Sequence, residues 1–296
     1  MKNFAIFIIS YKRAGKIQTI DTMKSAGYTG DWYIVIEDQD PQKKKYYKEY
    51  KEGRIIEFNK EEVRKQVDMG DNRPNNDTAL LPRQALFGIA RDLNLDTFLV
   101  LDDDYTSFHY RFDKNANSMY SEDSSGDWKM EDLDHFLEKW VEYYQKTDVD
   151  TMTLAQGRDF IGGADNVLAQ EIQIKRKAMN TWLLSPDREF PYLGRMNNDV
   201  NTYIRNQQLG KIMFMLNHAS IVQANTQQRE GGLTELYLDQ GTYVKSFYTL
   251  LYSPSCAKIG LMGDNYIRIH HKINWKYAVP KILDPKYQKA RGDNHE

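Results

Sequence analysis

The chain has 296 residues, 41% of them hydrophobic and 28% charged, with a formal net charge of −2. This ordinarily globular composition suits one large α/β domain or two small ones with a sizeable core. The single cysteine, Cys256, excludes an intrachain disulfide and reads as a small buried residue in a reducing cytoplasm.

The apolar run Phe4 to Ile9 reads as a first strand, too short to span a membrane and lacking a small-residue cleavage pattern after it. A helical stretch from about Gly15 to Ala26 follows, then a second strand, Trp32 to Ile36, ending at Glu37-Asp38. The Lys/Tyr-rich segment 43–51 is expected to be helical, Arg54 to Phe58 a short strand, and 60–67 another helix. Gly, Asn, Asp and Pro cluster in a loop from Met69 to Thr78. Leu81, Ala85, Leu86, Ile89, Ala90 and Leu93 then mark an amphipathic helix. Successive βα units with short links predict a Rossmann-like, mainly parallel sheet flanked by helices.

Residues 97 to 104, Thr-Phe-Leu-Val-Leu-Asp-Asp-Asp, run a buried-type strand straight into three carboxylates. Parallel sheets bind ligands beyond their carboxyl ends. Side chains two apart on a strand share a face, so Asp102 and Asp104 can converge on one hard cation while Asp103 points elsewhere. This D-x-D arrangement suits a divalent ion that neutralises a nucleotide diphosphate. The plain alternative is an acidic loop after a strand.

The second half is less regular. Residues 113–129 read as a surface loop and Asp132 to Gln145 as a helix. Strands are expected at 151–155, 180–184, 212–216 and 265–269, and helices from about Asn198 to Gln208 and Tyr237 to Leu251. With no repeat and no linker in evidence, a single domain over 1–296 is expected, with a nucleotide-binding half, 1–104, and an acceptor-binding half, 105–296. From Asp102 to Asp150 there are fourteen acidic and five basic residues; from Lys258 to Arg291 there are eight basic and two acidic. An acidic middle suits a cation site. A basic end carrying Trp275 and Tyr277 could lie against phosphates or simply face solvent.

The order of these landmarks resembles the GT-A nucleotide-sugar glycosyltransferases. Ser10-Tyr11-Lys12-Arg13 stands where that family places donor-contacting residues, and Glu37-Asp38 where it places an acid near the base or ribose. Arg83 sits on the helix before the acidic strand, facing the donor, and Asp102-Asp103-Asp104 occupies the D-x-D position, with Asp103 on the donor side. Asn197-Asn198-Asp199 opens a helix where the family carries an acid that meets the acceptor hydroxyl. His270-His271 falls where many members supply a third metal ligand. A closer resemblance, on Ile9 to Gly15, Arg158 to Gly163 and Ile269 to Lys276, is to the phage-type, TET-associated DNA glycosyltransferases. It implies a GT-A-like fold, a UDP-sugar donor with Mn²⁺ or Mg²⁺, and an acceptor that is a hydroxymethylated pyrimidine in DNA. It also implies a host-cytoplasmic protein with no membrane partner.

The residues themselves keep alternatives open. Asp199 is a candidate general base, but Asn198 or Asp199 before Val200 is also a good helix N-cap. His270 and His271 follow an alternating strand and should project to opposite faces, so that only one reaches a given metal. Tyr11 could stack on a nucleobase or pack locally. Leu101 to Thr106 also fits the strand-plus-D-x-D-x-T opening of haloacid-dehalogenase-type phosphatases. A noncatalytic DNA- or glycan-binding module would use the basic end alone, and a glycosyltransferase acting on a glycan would share the donor half.

Overall fold

The computed structural model describes residues 2–73, 78–111, 129–156, 174, 181–223, 241, 243–262 and 267–287. The first half alternates as expected: β1 (Phe4–Ile9), α1 (Gln18–Ser25), β2 (Asp31–Glu37), α2 (Lys43–Glu49), β3 (Ile55–Phe58), α3 (Lys60–Arg64), α4 (Leu80–Asp92) and β4 (Thr97–Asp102). After β4, a link of only two residues leads into β5 (Tyr105–Tyr110), a strand the sequence did not announce. There follow α5 (Leu133–Gln145), β6 (Thr151–Gln156), β7 (Trp182–Leu184), α6 (Asn198–Gln208), β8 (Met213–Gln223), α7 (Val244–Tyr252), β9 (Ala257–Met262), β10 (Arg268–Ile273) and the short α8 (Trp275–Ala278).

Among the described residues β1 to β8 form one sheet in the order β3-β2-β1-β4-β7-β6-β8-β5, while β9 and β10 form a separate antiparallel ribbon. The first four strands are parallel; β7 and β5 run against their neighbours. Alternation along β1 and β4 explains the layers. Ile6, Ile8, Leu99 and Leu101 join a core with Ile20 and Met23 of α1 and Leu137, Trp140 and Tyr144 of α5. Phe7, Ile9, Phe98 and Val100 join the opposite core with Leu86 and Phe87 of α4 and Val200, Tyr203 and Ile204 of α6. A strand buried on both faces has to be apolar at every position, which is what its sequence is.

Several element boundaries differ from expectation. α3 stops at Arg64 rather than 67, because Asp68 is drawn into a bridge with Leu193. The strand expected at 212–216 runs on to Gln223, since its second part gains β5 as a partner after a register break opposite Leu154/Ala155. The final strand begins at Arg268 and continues through both histidines to Ile273, extended by pairing with β9. The expected helix 237–251 is described only as Val244–Tyr252. Most of the 113–129 loop and the Arg158 to Gly163 stretch lie outside the described residues.

One clasp ties distant loops together. Buried Arg195 donates from Nε and Nη2 to the two oxygens of Asp71, at 2.8 Å each, and Tyr248 of α7 donates to the same carboxylate. Burial works against the Asp71 charge, but the Arg195 and Tyr248 hydrogen bonds prevail and hold its carboxyl down at about 2.

Candidate active site

In the parallel part of the sheet, the chain leaves β1 for β2 on one side and returns to lie as β4 on the other. Strand order reverses at that point, which opens a crevice beyond the carboxyl ends of β1 and β4. Ile9 is paired with Asp102, so Ser10 and Asp103 leave the sheet side by side. The Ser10 hydroxyl donates to Asp103 at 2.7 Å and lies 2.8 Å from the Tyr46 hydroxyl, which also accepts from the Arg13 amide at 3.0 Å. The Arg13 guanidinium binds Asp103 and lies 3.9 Å from Asp104. Burial opposes the Arg13 charge, yet Asp103 keeps it firmly protonated.

The turn after β1 is built by special backbone. Lys12 adopts a positive φ of 57°, a conformation costly for a side-chain-bearing residue, and its amide is held by Asp40 at 2.9 Å. Asp40 and Gln42, from the link between β2 and α2, thus fix the loop; the Gln42 side chain accepts from the Ala14 amide at 3.0 Å. Tyr11 lies beneath two ammonium groups, 4.9 Å from Lys12 and 5.8 Å from Lys60. Glu37 is buried and bound to Lys60 at 2.9 Å, and the Asp38 side chain accepts from the Lys60 amide at 3.1 Å. Both acids therefore shape the floor of the crevice through the start of α3.

The three carboxylates separate. Asp102, with the parity of Phe98 and Val100, turns toward α4 and meets Arg83 at 3.3 Å. Asp103 is buried with Ser10 and Arg13; Asp104 accepts from Gln223 at 2.9 Å. Burial, reinforced by the charges of Asp104 and Asp103 and opposed by Arg83, pushes the Asp102 carboxyl up to about 7. A divalent ion would relieve that mutual repulsion, and carboxylate oxygen is the right donor type for Mg²⁺ or Mn²⁺. In donor chemistry Asp102 and Asp104 suit such an ion; their side chains take separate partners, and among the described residues no three His, Cys, Asp or Glu side chains are grouped closely enough to form a complete ligand set.

A hydrogen-bonded chain leads from Asp102 across the crevice. Arg83, itself buried, donates to the Asn198 side chain at 2.5 Å. Asn197 precedes it in left-handed conformation, φ 52°, and its amide group reaches His271 Nδ1 at 3.2 Å and the Lys245 carbonyl at 3.1 Å. This arrangement corrects the capping alternative. The N-cap position belongs to Asn197, whose side chain is spent elsewhere, and neither Asn198 nor Asp199 caps α6. Asp199 lies in the first turn, partly exposed, close enough for its charge to be felt by Arg83. The histidines also depart from expectation: their rings do not diverge but stack, with centroids 4.3 Å apart at 27°. Two buried polar atoms beside Asp102, Arg83 Nε and Tyr192 Oη, have no hydrogen-bond partner among the described residues. Leaving such atoms dry costs about 1–3 kcal/mol each.

Gln223, Asp40 and Thr19 were missed in the sequence, and Asn198 was read only as part of the segment that opens α6 and as a possible cap. Thr19 of α1 donates to the Asp102 carbonyl at 2.6 Å and accepts from the Tyr105 amide at 3.0 Å, stapling the acidic corner from both sides. Only Asn198 carried a signal, as the neighbour of a singled-out acid; the other three lie on separate elements and meet the site only through the fold.

Acids and arginines gathered at the strand ends of a sheet's reversal point define an α/β protein whose candidate ligand crevice lies there. The family model of the TET-Associated Glycosyltransferases matches residues 4–232. The chain belongs to that family, and its class of activity is glycosyl transfer. No curated protein matches it significantly. Similar solved structures include TarS of S. aureus with UDP-GlcNAc, at 10% identity and TM-score 0.44, over 83% of this chain and 66% of that one. The mannosyltransferase PcManGT of Pyrobaculum calidifontis with GDP-Man and Mn²⁺ shows 11% identity and TM-score 0.47, over 85% and 63%. Glucosyl-3-phosphoglycerate synthase of Mycobacterium tuberculosis with Mg²⁺ and UDP shows 10% identity and TM-score 0.43, over 91% and 87%. The chain thus spans less than two thirds of the PcManGT chain and about two thirds of TarS. No described helix is long and apolar enough to cross a membrane.

Proposed function

We propose that this chain transfers a sugar from a UDP-sugar to a hydroxymethylated pyrimidine base of DNA, assisted by Mn²⁺ or Mg²⁺. Beyond family membership, one observation supports this most: the carboxylates of residues 102–104 stand at the strand-order reversal, flanked by Arg13 and Arg83. Asp102 and Asp104 would hold the ion, which supplies charge neutralisation for the departing diphosphate. Of the histidine pair, His271 is favoured as a further ligand because its ring reaches the start of α6. Arg83 orients Asp102, and Arg13 with Ser10 anchors Asp103, so the strand end stays fixed while the donor binds. Tyr11, Lys12 and the Glu37-Asp38 floor would receive the base and ribose. Asp199, near Arg83 but outside the hydrogen-bonded chain, takes the proton from the attacking hydroxymethyl oxygen.

The test is transfer itself. With Mn²⁺, a panel of nucleotide-sugars and duplex DNA carrying 5-hydroxymethylpyrimidine, nucleoside mass spectrometry should show one hexose-sized gain per modified base. Transfer only to glycan acceptors overturns the DNA acceptor; no transfer from any donor overturns the whole proposal.

A further inference from the structure

The β9–β10 ribbon has two unlike faces. In its antiparallel register Lys258 stands directly opposite Lys272, and Arg268 shares their face by the two-residue period. All three are exposed, and none forms an ion pair among the described residues. Neither strand contains an acidic residue. Like charges set directly opposite in a ladder destabilise it, so a basic face with no acid to offset it among the described residues is an arrangement that folding alone disfavours. Gly260 lets the Lys272 side chain lie across the ribbon: a Cβ there would come within 3.0 Å of Lys272 Cε. Positive charge is thereby spread along the face rather than concentrated at one pair.

The other face holds the ribbon in place. Ala257 is buried, Ile273 packs on the α4/α6 core, α7 lies against both strands, and His271 reaches Asn197. Asn197 adjoins Asn198, Arg83 and Asp102, so the basic face is carried by the same framework that positions the acids and Asp199. We infer that the outward face of the ribbon, through Lys258, Arg268 and Lys272, docks the phosphate backbone of the duplex whose base is modified. This rests on the DNA acceptor proposed above. A two-stranded ribbon is of a size that duplex grooves admit, and three cations with no ion pair among the described residues match a polyanion in charge. Trp275, by contrast, is taken up by packing on Tyr203, with centroids 6.1 Å apart.

The experiment uses the full chain and unmodified duplex DNA, with affinity followed by fluorescence anisotropy across salt concentrations. Releasing about 0.9 counterion per phosphate contact, the K258Q/R268Q/K272Q variant should lower the slope of log affinity against log salt by about 2.7. K258R/K272R should keep the wild-type slope, and calorimetric donor binding with Mn²⁺ should be unchanged in both. An unchanged slope in the triple variant overturns the ribbon while leaving the DNA acceptor standing, because wild type still binds and transfers. Equal losses in K258R/K272R would mark a folding effect and also overturn it. If wild type ignores DNA but binds phosphatidylserine vesicles, the surface serves a membrane, and absence of transfer to modified DNA separately condemns the acceptor.

Discussion

Asp199 illustrates how a residue's role turns on its neighbours. Catalysis and capping were both open from sequence, and the left-handed Asn197 leaves Asp199 free of the capping duty. Asp199→Asn keeps size and polarity but cannot accept a proton. Turnover should therefore fall by about 10²- to 10⁴-fold with donor affinity unchanged in calorimetry; near wild-type turnover would remove Asp199 from the chemistry. Asp102 carries the pH prediction. A cation needs the ionised carboxylate, and this one gives up its proton only near pH 7. Divalent-dependent donor affinity should accordingly rise between about pH 6 and 8 and be abolished by Asp104→Ala, both read by titration calorimetry. The acids were legible because three consecutive carboxylates after an apolar strand are a local pattern. Their separation among Arg83, Arg13 and Gln223 was not, since each partner comes from a different element.

Elements were legible where period and burial coincide. β1, β2, β4, α4 and α5 follow their apolar patterns closely, whereas β5 and β9 escaped notice because Tyr105 to Tyr110 and Ala257 to Met262 mix polar and apolar residues. Such strands are defined by the partner that pairs with them rather than by their own composition. The Asp71 clasp is a further link that only tertiary structure reveals, joining the loop before α4 to the segment before α6 and to α7. Asp71→Asn breaks a bidentate pair with a fully buried arginine and should destabilise the protein by about 3 kcal/mol at neutral pH. The folded-state value lies below the ordinary one, so the contribution is complete above pH 4 and disappears as pH falls through about 2. Thermal melts of wild type and variant should therefore converge in that acidic window.

At the scale of the whole molecule, the parallel half followed from its βα rhythm, but the far half of the sheet did not. A strand order of β4-β7-β6-β8-β5 puts three strands between two that are consecutive in sequence. Three Cα steps, from Asp102 to Tyr105, reach at most about 11 Å, while four strand spacings in a flat sheet amount to about 19 Å. The sheet must bend round until its last strand meets its middle, and Asp103-Asp104 is the seam. Gln223, at the end of β8, closes the seam from the other side. The length of the acidic segment is thus constrained by closure, and a residue inserted there would part Asp104 from Gln223. Since Tyr105 pairs with Gln223, more than a hundred residues onward, this closure is a long-range event that forms slowly. A nascent chain carries these acids long before the fold that seats them is complete, because that fold waits for β8.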